Sequence, residues 1–258
     1  MGRSGPLLHR YSRENLAVFT DEERRRLHID ADADPQRDLS VAWELLYRLE
    51  PEIYDRLVAA ERLHPGILDW LPGHADRIVE VAAGTGRLTL ELMPRCHELI
   101  AIEPAAPMRA LLENKLESAR RNPKARGASV RVIGGFFDGL PAADRSAELV
   151  IACSALTPEP AHGGEAGLAE MERVCAPSGM VVIVWPNQPE WLSGHGYLYR
   201  SFPGDMAMEF ASLEEAIELA SIFYPAAVDE IRRRGDRRVP YHVLGLNPPR
   251  DLAFRKIL

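Results

Sequence analysis

The stretch R-I-V-E-V-A-A-G-T-G-R-L-T, Arg77 to Thr89, decides how this chain is read. Ile78 to Val81 is a short apolar run rich in β-branched residues, the pattern of a buried strand. Ala82 to Gly86 then gives five small residues, through which a backbone turns tightly and lets a ligand come close. From Leu88 the apolar spacing turns helical, through Leu92 and Met93. A strand feeding a small-residue loop and a helix start is the nucleotide-binding crossover of α/β folds, where free backbone N–H groups face the ligand.

Working outward, the chain makes a second predicted strand, Leu99-Ile100-Ala101-Ile102, ending in Glu103. An acidic residue at that tip, about 20 residues past the glycines, accepts hydrogen bonds from both ribose hydroxyls. Dinucleotides and S-adenosylmethionine (SAM) share that need, and the loop separates them. A dinucleotide fingerprint wants G-x-G-x-x-G, but the register from Gly84 reads G-T-G-R-L-T, with Thr89 at the third glycine. Glu80, inside the strand before the turn, is the wrong charge for a pyrophosphate and the right one for a ligand with a cationic end.

At this point the chain resembles the class I SAM-dependent methyltransferases, whose first motif is an acidic residue followed by x-G-x-G-x-G. Glu80, Ala82, Gly84 and Gly86 stand at those positions, with alanine at the first glycine. Val130 to Gly135 resembles the family's third strand. Leu140-Pro141 and then Ala147 to Ile151 resemble its passage into the fourth. Leu168 to Gly179 is similar to its E-x-x-R-V-L-x-P-G-G helix and turn, leading into a fifth strand, Met180 to Trp185. The resemblance covers roughly residues 50–186. It implies a Rossmann-like α/β fold: a seven-stranded, mostly parallel sheet with helices on both faces and an antiparallel C-terminal strand. It also implies SAM as cofactor, S-adenosylhomocysteine as product, and cofactor contacts from Glu80, Ala82, Gly84, Thr85, Gly86, Glu103, Pro104, Gly135 and Cys153.

The bulk properties agree. With 258 residues and 46% hydrophobic content, the chain is long enough for one large α/β core and an attached lid. A net charge of −7 argues against a nucleic-acid-binding face. No apolar run of about 18 residues suggests a membrane span. Met1 to Pro6 shows no apolar signal segment, and Pro6 spoils a myristoylation pattern. Cys96, Cys153 and Cys175 lack metal-site or disulfide spacing and read as reduced core thiols of a cytoplasmic protein. No H-x-E or C-x-x-C spacing asks for a metal, and none is expected.

Residues 1–70 read as an N-terminal arm and helical lid, and 71–258 as the cofactor-binding domain with an aromatic insert at 186–205. Residues 1–40 are polar, with little periodicity, and predict a partly ordered arm. Ala42 to Leu68 reads as helical, Pro51 opening a second helix at its first turn. Helices are expected at 87–95, 105–121, 164–175 and 213–233, the last kinked at Pro225. Beyond them come a short strand at Met206 to Phe210 and two antiparallel end strands, Val239 to Leu244 and Asp251 to Ile257, around the N-P-P turn.

The resemblance places Tyr54, in a Tyr54-Asp55 pair, over SAM; the alternative is a buried helix tyrosine. Met108 falls where the family packs an apolar side chain on adenine, and equally where a helix needs core filler. The family's adenine-binding aspartate aligns with Phe136 in G-G-F-F-D-G-L-P. Either Phe136 packs on the adenine face or Asp138 supplies the polar contact, while Phe136 and Phe137 also read as core packing. Ligands of open α/β sheets bind beyond the carboxyl ends of the strands. The aromatic run Trp185, Trp191, Tyr197, Tyr199 and Phe202 after strand five therefore reads either as an aromatic-lined acceptor pocket or as a lid packed on its own core. Candidate bases are Glu159, His162 and His195. Two functions stay open: a methyltransferase acting at O, N or C of a small aromatic or apolar metabolite, and a catalytically degenerate SAM-fold protein that binds a ligand or partner, suggested by Ala82 and Phe136.

Overall fold

A computed structural model of the chain describes residues 6–121 and 128–258. The reading of Met1 to Gly5 as free of a signal or lipid motif lies outside the described residues. In chain order the strands are β1 (Ala75–Val81), β2 (Cys96–Ile102), β3 (Ser129–Ile133), β4 (Ala147–Cys153), β5 (Cys175–Val184), β6 (Leu198–Ser201), β7 (Ala207–Glu209), β8 (Arg238–Pro240) and β9 (Asp251–Lys256).

Seven of them form one sheet in the order β3-β2-β1-β4-β5-β9-β6. The pairings from β3 through to β5 are parallel, and β9 runs antiparallel to both β5 and β6. Leu99, Ile100, Ala101 and Ile102 of β2 are all buried, as are Val181 to Val184 of β5. Continuous apolar strands of this kind belong to a sheet covered on both faces. The chain winds outward from β1 to β3 and then returns to β4 on the other side of β1. Right-handed crossovers therefore put the intervening helices on opposite faces, and the order reverses between β1 and β4. The helices Ala106–Arg120 and Gly164–Val174 are two of these crossovers, as the sequence predicts to within a residue or two.

The chain divides into two compact units, with boundaries other than a single cut near residue 70. One unit takes the chain up to Arg25, Ile29–Leu63 and Pro203–Pro249; the other takes Arg26–His28, His64–Phe202 and Arg250–Leu258, which includes the seven-stranded sheet. In the first unit, Trp43 stacks on Phe223 at 5.1 Å between ring centroids, and Arg56 pairs with Glu215 and Glu218.

Three expectations need correction. The N-terminal arm is ordered from Pro6 on: Leu7, Tyr11, Leu16 and Phe19 are buried, Arg10 binds Glu50 through two nitrogens, and the Tyr11 hydroxyl donates to Glu50 at 2.8 Å. The turns are 3-10 segments, whose spacing hides from a search for helical period. The end strands do not form a hairpin with each other. β8 covers only Arg238–Pro240 and pairs with β7, and Tyr241–Leu244 is a helical turn; β9 inserts between β5 and β6. Pro225 ends a helix at Phe223 rather than kinking it, because proline lacks the N–H that the ladder needs. The 186–205 insert is itself regular, a helix at Pro189–Gly194 and the edge strand β6.

Tyr197, expected in that insert, is 3% exposed, lies in the core with Val181, Ile183 and Leu192, and donates its hydroxyl to Glu172 at 3.1 Å. Tyr197→Ala should lower unfolding free energy by about 3–5 kcal/mol, the cost of an aromatic cavity, and Tyr197→Phe by only about 1 kcal/mol. Urea denaturation measures both. Equal, negligible losses would show that the ring is not core.

Candidate cofactor and active site

The site starts where β1 ends. Glu80 is 2% exposed and accepts a hydrogen bond of 2.6 Å from the Thr89 hydroxyl. Burial pushes its pKa up to about 8, against the pull of the Thr89 hydrogen bond and the Arg87 charge. In the ligand-free protein this carboxyl therefore holds its proton at neutral pH. Ala82, standing at the first family glycine, has φ +56, the left-handed region that glycine enters without penalty. Gly86 has φ +93, and a Cβ there would sit 2.4 Å from Leu112 Cδ1.

Glu103 closes the loop from the next strand. It is buried; Gly84 N–H donates to its Oε2 at 3.0 Å and Ala105 N–H to its Oε1 at 2.9 Å. Arg109 donates to the carbonyls of Glu103 at 2.6 Å and Pro104 at 2.8 Å, fixing the turn into the following helix. Thr85 is buried in the loop, with Lys115 Nζ 3.5 Å from its hydroxyl.

Three neighbouring strands end alike. Ala82, Ser154 (φ +53) and Trp185 (φ +50) are the first residues after β1, β4 and β5, and all are left-handed without being glycine. Each such residue costs roughly 1–2 kcal/mol, and strain of this kind gathers at ligand sites. Arg87 spans the same edge. Its Nη2 lies 3.2 Å from Cys153 Sγ, and its guanidinium sits 5.7 Å from the centre of the Trp185 ring.

On the β3 side, a Cβ on Gly135 would meet Pro141 Cδ at 2.6 Å and Ile102 Cγ2 at 2.8 Å, so only glycine fits. Phe137 packs against the core beside Gly163 and Gly167. Asp138 pairs with Arg26 at 2.7 Å, and the same guanidinium stands 5.8 Å from the Phe136 ring centre. Met108 is fully buried at the start of its helix. Tyr54, in the other unit, makes edge contacts with Trp43 and Tyr47.

The candidate bases separate. Glu159 and His162 share the loop after β4, with Nδ1 and Oε2 3.5 Å apart. His195 is engaged at both nitrogens, Nδ1 with the Trp191 carbonyl at 2.9 Å and Nε2 with Glu165 at 2.8 Å. Those contacts raise its pKa, the Trp191 carbonyl most. Of the aromatic residues, Trp185 stands at the carboxyl edge of the sheet. Trp191 packs on the core and donates to Glu165, and the Tyr199 hydroxyl donates to Asp251 at 2.7 Å. Sequence reasoning missed Arg87, Thr89 as a partner of Glu80, and Arg109. Arg87 and Thr89 stand inside the quoted loop, where Thr89 registered only as a missing glycine; nothing in the sequence marks Arg109.

Residues 78–179 match the methyltransferase domain family. The match runs from β1 into β5, the part of the chain that carries the loop after β1 and both Glu80 and Glu103. Over 130 residues the chain is 29% identical to an uncharacterized methyltransferase of Mycobacterium tuberculosis and, equally, to one of Mycobacterium bovis; the match takes in 50% of this chain. The chain spans about half the length of these curated relatives, 47%. Among solved structures it is similar to the YcgJ protein of Bacillus subtilis, at 14% identity and TM-score 0.47, covering 74% of this chain and 95% of that one. It is also similar to a possible histamine N-methyltransferase of Thermotoga maritima, at 17% identity and TM-score 0.44, covering 83% and 98%.

The loop strain has a measurable consequence. Ala82→Gly should raise stability by up to about 1 kcal/mol, since relief of left-handed strain exceeds the added unfolded-chain entropy. Gly86→Ala should lower it by roughly 1–3 kcal/mol. Melting curves that move the other way would mean that the loop is not built as described.

Proposed function

We propose that the chain transfers a methyl group from SAM to a small acceptor. The observation that carries this reading is the pair of buried carboxyl groups, Glu80 and Glu103, on either side of the loop that follows β1. They suit the two ends of an adenosyl sulfonium amino acid. Glu103, at the tip of β2 and tied to the loop through Gly84 N–H, is our assignment for the ribose hydroxyls. Glu80 offers a carboxylate to the cationic end. Phe136 is our assignment for the adenine face, since Phe137 packs on the core and Asp138 pairs with Arg26. Ala82, the departure that suggests a degenerate fold, takes a left-handed backbone, so its methyl group does not bar the conformation that glycine favours.

The cofactor supplies a methyl group already activated on sulfur. What the chain adds is position and dryness, and orientation alone is worth up to roughly 7–11 kcal/mol. We place the acceptor beyond the tips of β4 and β5, against Trp185, with Arg87 and Cys153 beside it. An indole face there favours an aromatic or apolar acceptor. Where the acceptor atom has a proton to lose, His162 takes it, oriented by Glu159.

Calorimetric titration should show SAM and S-adenosylhomocysteine binding and NAD not binding. Glu103→Ala should weaken SAM roughly tenfold to a hundredfold, for the loss of hydrogen bonds to a charged group worth about 1.5–3 kcal/mol. NAD binding without SAM binding would sink the reading.

Glu80 adds a proton to that titration. Its pKa in the free protein is near 8, and a bound cation favours the ionised form. Binding at pH 7 should therefore release a proton, and affinity should climb as pH rises toward about 8 and then level off. The ligand-free protein should lose stability over the same window, because unfolding frees Glu80 to ionise at its ordinary, lower pKa. Binding heats measured in buffers of different ionisation enthalpy check this; identical heats in wild type would refute it, and Glu80→Gln should abolish the difference.

A further inference from the structure

The opposite edge of the sheet holds a cluster with no part in the site above. His74 immediately precedes β1, Asp76 is the second residue of β1, and His97 is the second residue of β2. Ala75 pairs with Cys96 and Arg77 with Glu98, so Asp76 and His97 stand side by side on adjacent strands. Alternate residues share a face, which brings His74 to the same side. The two imidazole Nε2 atoms lie 3.1 Å apart, with the rings at 75° and their centroids 4.5 Å apart. Asp76 Oδ1 is 3.8 Å from His97 Nε2, and the ligand atoms of all three residues fall within 4.8 Å of one another.

We propose that His74, Asp76 and His97 bind a divalent transition-metal ion such as Zn2+. Two imidazole nitrogens facing each other at this distance are bridged either by one N–H···N hydrogen bond between complementary tautomers or by a metal ion. Tetrahedral Zn2+ with bonds of about 2.0–2.1 Å separates its nitrogen ligands by about 3.3 Å, close to the spacing found here. Two imidazoles and a carboxylate form a borderline set that selects zinc, nickel, cobalt or copper over magnesium or calcium. Among the described residues, the neighbouring guanidiniums of Arg77 and Arg131 are both bound by Glu98 rather than by Asp76. The three ligands are exposed, so an ion reaches them directly and completes its shell with water. Bound there, it ties the start of β1 to the start of β2. Among the described residues this is the one such group of histidine, cysteine and carboxylate side chains.

The test uses the full chain, freed of any purification tag and stripped with a chelator, titrated with Zn2+ by calorimetry and followed by thermal melting. Wild type should take up Zn2+ and melt higher with it, by the linkage of binding to folding. His74→Ala and His97→Ala should each weaken that binding roughly tenfold or more, at least the cost of disturbing a ligand's support. Asp76→Asn should weaken it less, and Mg2+ should do nothing. Zinc held by other side chains persists in every variant and is subtracted. Because the three residues are exposed, the variants should melt like wild type without metal; should one fail to fold, His97→Gln replaces it. Unchanged Zn2+ affinity in both histidine variants, or no uptake by wild type, would leave only a hydrogen-bonded histidine pair and overturn the proposal.

Discussion

The Glu103 carboxylate holds the rest of the site in place. It reaches from the tip of β2 to Gly84 N–H in the loop after β1, and back to Ala105 N–H at the start of its own helix. Parallel strands share hydrogen bonds along their length but not past their ends, so the loops beyond them need a separate tie. One buried carboxylate supplies it here. Glu80 works by the opposite route. It sits deeper, bound to one hydroxyl and pushed toward neutrality by burial.

Strain at the carboxyl edge follows from the same geometry. Chains leaving β1, β4 and β5 turn sharply, and Ala82, Ser154 and Trp185 all pay for it with left-handed backbones. The surrounding structure over-determines these turns: Ala83 N–H is held by the Ile102 carbonyl, Ser154 N–H by Val184 and Trp185 N–H by Asp251, at 2.9 Å each. An alanine is therefore held in a left-handed backbone at the first position, at a cost in stability.

How much of this was legible in the sequence depended on whether neighbours in space were also neighbours in the chain. The crossover from Ile78 to Thr89 is local, so its strand, loop and acidic residue could be read directly, as could Pro51 at the start of its helix. β9 could not be placed, because its partners in β5 and β6 lie far back in the chain and a hairpin around Asn247-Pro248-Pro249 satisfies the same alternation. The order of the N-terminal arm escapes the sequence for another reason. Its order comes from Tyr11 and Arg10 meeting Glu50, contacts that leave no periodic trace.

The aromatic run after β5 shows why composition is a weak guide to a pocket. Enrichment in Trp and Tyr signals a need to fill volume next to something polar, and that need arises wherever an amphipathic side chain closes a core. Tyr197 fills the gap under the sheet and spends its hydroxyl on Glu172, while Tyr199 lies on an edge strand and spends its own on Asp251. Trp191 does the same with Glu165. Trp185 differs in its position, not its chemistry: it follows the last residue of β5, and the group over its ring is a cation from the cofactor loop. An acceptor lying there would touch the loop after β1 and the tips of β4 and β5 together, so the residues that select the acceptor and those that hold the cofactor loop would be the same few side chains.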